Sequence, residues 1–270
     1  MKSAVIRFCK GLFVGASMML PGVSGGTMAI LLGIYDALIH AISTFRSDIK
    51  KNAIFLGEFV AGALVGIALL SKGILYVVET YEMPMMFLFL GAIIGSLPTL
   101  IQKAGKQGKV KPVDWLFAVA GFALVMGLAR LPEGLFVFSQ TFSLFHFVML
   151  LVAGFVIAVA LVLPGISASY MLLVLGMYDL TLQAINEVNV LFLLPLVIGV
   201  LAGTFLTTGA LERAMQKKPG PTYMLIIGFV VGSIMQVFPG LPQGGEIAVC
   251  AATLAVGAGA ILLLSRYAQE

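Results

Sequence analysis

The residues able to do chemistry in this 270-residue chain gather in two short stretches. Residues 20–36 read LPGVSGGTMAILLGIYD and residues 163–179 read LPGISASYMLLVLGMYD. Each sets a proline, small residues and hydroxyls inside an uncharged run. The proline ends one helical arm, glycine permits tight or left-handed backbone, and a new arm begins with its first amides unpaired. A helix N-terminus carries partial positive charge and free N–H donors, so with hydroxyls beside it the natural guest is an anion, a phosphate above all. The candidate phosphate ligands are Ser24, Gly25, Gly26 and Thr27 in the first copy and Ser167, Ala168, Ser169 and Tyr170 in the second, with Arg130 as a basic residue to guide the anion. Arg7 and Lys10 could do the same on the opposite side. The plainer alternative is a turn in a packed bundle, with the hydroxyls bonded to carbonyls of the preceding turn. Duplication at the same place in the chain favours the anion site.

A second set is ionisable. Charge at membrane depth is costly and marks ion or substrate pathways. Asp36 and its mate Asp179, Glu58, and His40 one turn beyond Asp36 are candidates to carry a coupling ion. The alternatives are a capping aspartate where the arm kinks after Gly33 or Gly176, and for Glu58 a side chain reaching the interface. His146 reads as a hydrogen-bonded packing residue. Cys9 and Cys250 lie in apolar surroundings without metal spacing, so neither a disulfide framework, a metal site nor a cofactor is expected.

The elements that hold these residues must lie in a bilayer. Hydrophobic residues make up 60% of the chain and charged ones 10%, with mean hydropathy +1.10, which leaves too little polar surface to face water. The apolar runs are continuous, without period-two alternation, so an all-α polytopic membrane protein is expected and not a barrel. Net charge +4 resides in short loops, where it sets topology and gives no reason to expect nucleic acid.

The two motifs align without gaps at an offset of 143 (164 minus 21), pairing Pro21, Gly22, Ser24, Met28, Gly33, Tyr35 and Asp36 with Pro164, Gly165, Ser167, Met171, Gly176, Tyr178 and Asp179. A second block follows at an offset of 137 (189 minus 52), matching Gly62, Gly66, Gly91, Gly95 and Ser96 to Gly199, Gly203, Gly228, Gly232 and Ser233. The chain is thus two repeats, 1–135 and 136–270. Full spans are expected at about 53–71, 84–102 and 114–130, and at about 190–210, 222–238 and 247–264. The motif segments, about 4–44 and about 142–185, are expected to be re-entrant hairpins. The glycine pairs read as close helix packing. Three spans per repeat then invert the second half. That arrangement puts 14 lysines and arginines on one side and only Lys72 and Arg130 on the other, so the rich side, with both termini, is cytoplasmic. Inverted repeats with matching broken helices are a plan of secondary transporters, whose site lies where the breaks meet.

The motifs LPGVSGGTMAILLGIYD and LPGISASYMLLVLGMYD, with the chain's length, repeat and loop placement, resemble the bacterial polyprenyl-phosphate transporter family. The resemblance implies recycling of undecaprenyl phosphate from the outer to the inner leaflet of the bacterial cytoplasmic membrane, driven by a proton or sodium gradient. Two other classes stand beside it. Membrane undecaprenyl-diphosphate phosphatases share inverted repeats and a Pro-Gly-x-Ser-Arg-Ser turn, but here Gly25-Gly26 and Ala168-Ser169 follow the serines, and no Glu-x-x-x-Glu pair occurs. Without the arginine and glutamates the tools for cleaving a diphosphate are missing. An ion-coupled carrier of a small soluble anion would need a water-lined cavity in place of an opening to lipid.

Overall fold

The structure, a computed structural model, describes residues 2–18, 24–105, 110–135 and 143–267. The first Pro-Gly turn (Pro21, Gly22), the residues Lys106 and Lys109 and the boundary expected at 135/136 therefore fall wholly or partly outside the described residues. The described secondary structure is entirely helical. In the first half α1 (Lys2–Ser17), α2 (Gly25–Leu31) and α3 (Tyr35–Ser43) precede three longer elements, α4 (Ile49–Thr80), α5 (Glu82–Ala104) and α6 (Trp115–Leu128). The second half repeats the order as α7 (Leu144–Val162), α8 (Ala168–Val174), α9 (Tyr178–Asn186), α10 (Val190–Lys217), α11 (Pro219–Val237) and α12 (Glu246–Tyr267).

Among the described residues, six helices are long and apolar enough to cross a membrane: α4, α5, α7, α10, α11 and α12. Two bent pairs, α2 with α3 and α8 with α9, turn through 118° and 108° at their breaks. Helix is the only open-ended way to satisfy every backbone group in hydrocarbon, and it continues through Pro98 of α5 and Pro195 of α10. Large side chains such as Leu64, Leu69, Leu201 and Leu263 are exposed along α4, α10 and α12, a surface suited to lipid.

Helix ends follow local chemistry and depart from the expected spans. The α4 helix begins before residue 53 because the Asp48 side chain accepts the Lys51 amide, and it runs on to Thr80. Conversely α6 stops at Leu128, since the carbonyls of Ala129 and Leu131 turn aside to the Tyr170 hydroxyl. A 3-10 turn at Pro112–Asp114 leads into α6, and the Asp114 carboxylate accepts the Lys111 amide.

Glycines set the pairing. A Cβ on Gly62 would collide with the Phe8 carbonyl oxygen and one on Gly66 with that of Leu12, so α1 and α4 lie backbone to backbone and run parallel. In the second half Gly199 meets Leu151 and Gly203 meets Phe155 in the same way, joining α10 to α7. Gly91 against Leu254 and Gly95 against Ala258 join α5 to α12, as Gly228 against Ala118 joins α11 to α6. Small residues permit this close approach, which replaces the hydrophobic drive that lipid does not supply. At the centre α5 packs on α11, and Met224, Ile226 and Val230 of α11 are fully buried. The pairing of the long helices recurs in both halves, but the short ones dock differently. The α3 helix packs on α10, whereas α9 makes no comparable contact with α4.

Candidate functional site

Each motif forms the same backbone device. The α2 helix ends in a paired reverse bond, with the Gly33 amide donating to the Ile30 carbonyl at 2.9 Å and the Ile34 amide to Ala29 at 2.9 Å. In the second copy the Gly176 amide donates to Leu173 at 2.9 Å and Met177 to Leu172 at 2.8 Å. Both are Schellman caps, which demand a left-handed residue after the helix; Gly33 and Gly176 supply it at φ of 64° and 71°. The next helix starts at once with Tyr-Asp in its first turn, which explains why both motifs close on those two residues.

The two motifs touch. The Gly165 amide, at the described second tip (φ 78°), donates 2.9 Å to the Thr27 hydroxyl of α2, and both groups are buried. A Cβ on Gly26 would lie 3.1 Å from the Pro164 Cα, a tight contact, so glycine here lets α2 lie close against the second turn without displacing it. The Tyr35 hydroxyl, also buried, donates 2.9 Å to the Val162 carbonyl at the end of α7. Ser24 is buried beside Thr27 and faces Phe89 and Ile93 of α5 and Ser233 of α11 around a void of about 10 Å³, room for roughly one water. Among the described residues the junction is therefore closed to a phosphate.

Hydroxyls of the second copy are engaged with backbone. The Ser167 hydroxyl accepts the Tyr170 amide at 3.3 Å, capping α8, and the Tyr170 hydroxyl donates to the carbonyls of Ala129 and Leu131. That clamp seats the exposed Arg130 turn beside the second motif. Amides of Gly134 and Leu135 donate to Leu173 and Val174 at the end of α8, tying the same loop down. Ser169 is exposed, Ala168 is half-buried, and Gly25 lies against the Met18 side chain, whose sulfur a Cβ would meet at 2.9 Å.

The ionisable candidates separate. Asp36 caps nothing: its Oδ2 takes 2.7 Å from the Lys103 ammonium at the end of α5 and 3.0 Å from the Tyr223 hydroxyl at the start of α11. His40 pairs with Glu212 of α10, fastening α3 to that helix together with the Phe45–Phe205 edge contact at 6.2 Å. Glu58 pairs with Arg7 inside the α1–α4 interface. Asp179 is exposed, so the repeat mates occupy unlike surroundings. His146 and the Ser143 hydroxyl bond locally at 2.8 Å at the start of α7. Lys103, Tyr223 and Glu212 are the partners the sequence did not announce. Lys103 had served only as a topological charge, and nothing local ties the other two to α3.

On the far side of α2 from Ser24 lies a cavity of about 780 Å³ bounded by α1, the α2–α3 turn, α5 and α12. Its polar residues include Lys10, Asp36, Ser96, Thr99 and Lys103, and its walls are mostly aliphatic. No cluster of three or more His, Cys, Asp or Glu side chains able to hold a metal occurs among the described residues.

Fold and site together define a multi-pass, all-helical membrane protein whose two broken helical segments meet inside the bundle. The chain belongs to the undecaprenyl phosphate translocase-like family, whose model matches residues 14–251. It is 36% identical over 246 residues to the polyprenyl-phosphate transporter of Staphylococcus aureus (strain NCTC 8325 / PS 47), a match covering 88% of this chain and 87% of that protein. It is 28% identical over 246 residues to the polyprenyl-phosphate transporter of Vibrio cholerae serotype O1 (strain ATCC 39315 / El Tor Inaba N16961), covering 86% and 77% of the two chains. No solved structure matches it.

Proposed function

We propose that this protein is a secondary transporter that carries undecaprenyl phosphate, or a related polyprenyl phosphate, from the outer to the inner leaflet of the bacterial cytoplasmic membrane, so that the carrier lipid is used again. The observation that carries the reading is the contact between the two motif breaks inside the bundle, Thr27 on Gly165 and Gly26 on Pro164, in a chain of the translocase-like family. The helix ends bearing Lys50, Lys51, Lys103, Lys111, Lys217 and Lys218 are the cytoplasmic ones by the charge rule, with both termini on that side. The second half is inverted relative to the first.

The head group passes between Ser24–Thr27 and Ser167–Tyr170. Arg130, held beside Tyr170, meets it from the outer side. In the present state the hydroxyl of Thr27 accepts the Gly165 amide and that of Ser167 the Tyr170 amide, so passage requires α2 to part from the second turn, which frees the Thr27 oxygen and the Gly165 N–H donor. A junction that opens and closes between two vestibules is what alternating access asks of broken helices. The docking of α3 on α10 without a counterpart in α9 and α4 is an asymmetry of the kind that separates the two access states.

Coupling falls to Asp36 first, because it is half-exposed, bonded to a lysine and a tyrosine on two other helices, and adjacent to the hinge at Gly33. His40 with Glu212 forms a second titratable link between α3 and α10. Glu58 and Asp179 complete the set. A proton or sodium ion that exchanges for the Lys103 contact would release α3 as the head group arrives.

Sealed proteoliposomes with labelled polyprenyl phosphate in the external leaflet and an imposed proton or sodium gradient test this proposal. Inward movement faster under one gradient, and slowed when that gradient is reversed, is expected. A rate indifferent to both gradients would remove the coupling, and no protein-dependent movement would remove the transporter.

A further inference from the structure

The cavity between α1, α5 and α12 is a separate space from the small void at the junction, although Leu31 of α2 lines both, and it has two unlike sides. One is cationic and hydroxylated. The Lys10 side chain makes no ion pair or hydrogen bond among the described residues, Ser96 and Thr99 add hydroxyls to the lining, and the Lys103 ammonium holds one carboxylate oxygen of Asp36, at 2.7 Å, and lies 5.9 Å from the centre of the Tyr223 ring. The other side is aliphatic and faces outward. Val5, Ile6 and Phe13 of α1 and Leu264 of α12 line the cavity and are also exposed on the protein surface. Since α1 packs on α4 and α12 packs on α5, the gap between α1 and α12 opens sideways toward lipid. A volume of about 780 Å³ suits a small ligand and cannot enclose a long prenyl chain, which must run out through that gap.

We propose that this cavity is a cytoplasmic-leaflet station for a phosphate monoester bearing an apolar tail, with the head group on Lys10 and Lys103 and the tail leaving between α1 and α12 into the bilayer. The assignment rests on the transport reading above and adds a second stop to it, distinct from the hairpin junction. A soluble anion would need polar walls throughout, whereas two lysines in the lining of an open, mostly aliphatic slot match a charged head on a hydrocarbon chain. The same geometry makes Asp36 a competitor. Phosphate can take full hold of Lys103 only as Asp36 lets go, so occupancy of the cavity loosens the contact that ties α3 to α5.

The chain carries its own probe. Cys9 lines the cavity and is exposed, while Cys250 is fully buried, so a maleimide reports on one position and the silence of Cys250 reports an intact fold. Labelling of Cys9 is measured in nanodiscs with farnesyl phosphate, farnesol or inorganic phosphate present. Farnesyl phosphate is expected to slow labelling where farnesol and inorganic phosphate at equal concentration do not. Lys10→Gln should raise the concentration needed for protection about tenfold, the loss of one charge-assisted contact, and Asp36→Asn should lower it. Equal protection by inorganic phosphate, equal protection by farnesol, or protection unchanged in Lys10→Gln would overturn the station. Wild-type protein that moves polyprenyl phosphate between leaflets while Cys9 stays unprotected would overturn the station alone. Protection without any movement would sustain the site and overturn the transport reading instead.

Discussion

Thr27→Val cuts the bond that joins the two halves at their breaks and leaves the shape almost unchanged. Valine is β-branched like threonine and of similar volume, so the Gly26–Pro164 approach beside it is kept. What is lost is the acceptor for the Gly165 amide, a buried donor at 2.9 Å. Leaving such a group unpaired costs about 1–3 kcal/mol. The cost falls on the state in which α2 touches the second turn and is relieved once the two part. The balance between closed and open junction should then shift by roughly 5- to 150-fold toward open. The assay joins a thermal denaturation curve in detergent with initial rates of lipid movement in proteoliposomes. The expected result is a lowered midpoint together with an altered rate, with Thr27→Ser, which restores the hydroxyl, close to wild type. If Thr27→Val matches wild type in both measurements, the junction bond bears neither stability nor gating and the reasoning fails.

Other consequences follow from the same contacts. Gly33→Ala and Gly176→Ala force a side chain into left-handed backbone and should each lower stability by about 1–2 kcal/mol in thermal unfolding, with Gly57→Ala, which has open space around it, near neutral. Gly199→Leu drives a side chain into the Leu151 carbonyl and should prize α10 from α7, destabilising by about 1–3 kcal/mol or more and broadening the size-exclusion profile. Tyr170→Phe removes the donor to Ala129 and Leu131 and should speed protease cleavage at the Arg130 turn while leaving the rest of the chain resistant.

Much of this architecture is legible in the residues because its causes are local. Pro-Gly-x-Ser followed by Leu-Gly-x-Tyr-Asp prescribes a break, a short helix, a Schellman cap and a new start, and the duplication of that string says the two breaks are related. The glycine pairs foretell backbone contact, although which helix each meets is a matter of three dimensions. Partner choice is where the sequence falls silent. Asp36 is 67 residues from Lys103 and 187 from Tyr223, and His40 is 172 from Glu212, so no periodicity connects them. Nor does the hydroxyl content of the motifs reveal that Thr27, Ser167 and Tyr170 are committed to backbone atoms. For Ser167 the partner is the local amide of Tyr170, but for Thr27 it depends on how close the halves approach beside Gly26 and Pro164. The cavity escaped notice for a similar reason: Lys10 stood only as a basic residue to guide the anion and Lys103 only as a topological charge, and nothing local places both in the lining of one cavity.

The claim at the centre is that the paired breaks serve to carry a lipid phosphate and not to cleave it. Purified protein in sealed liposomes, given polyprenyl phosphate labelled in both head and chain, tests it most directly. The account predicts that the intact labelled lipid crosses to the opposite leaflet only in vesicles containing the protein, with no inorganic phosphate set free. Release of phosphate, or crossing no faster than in protein-free vesicles, would contradict it.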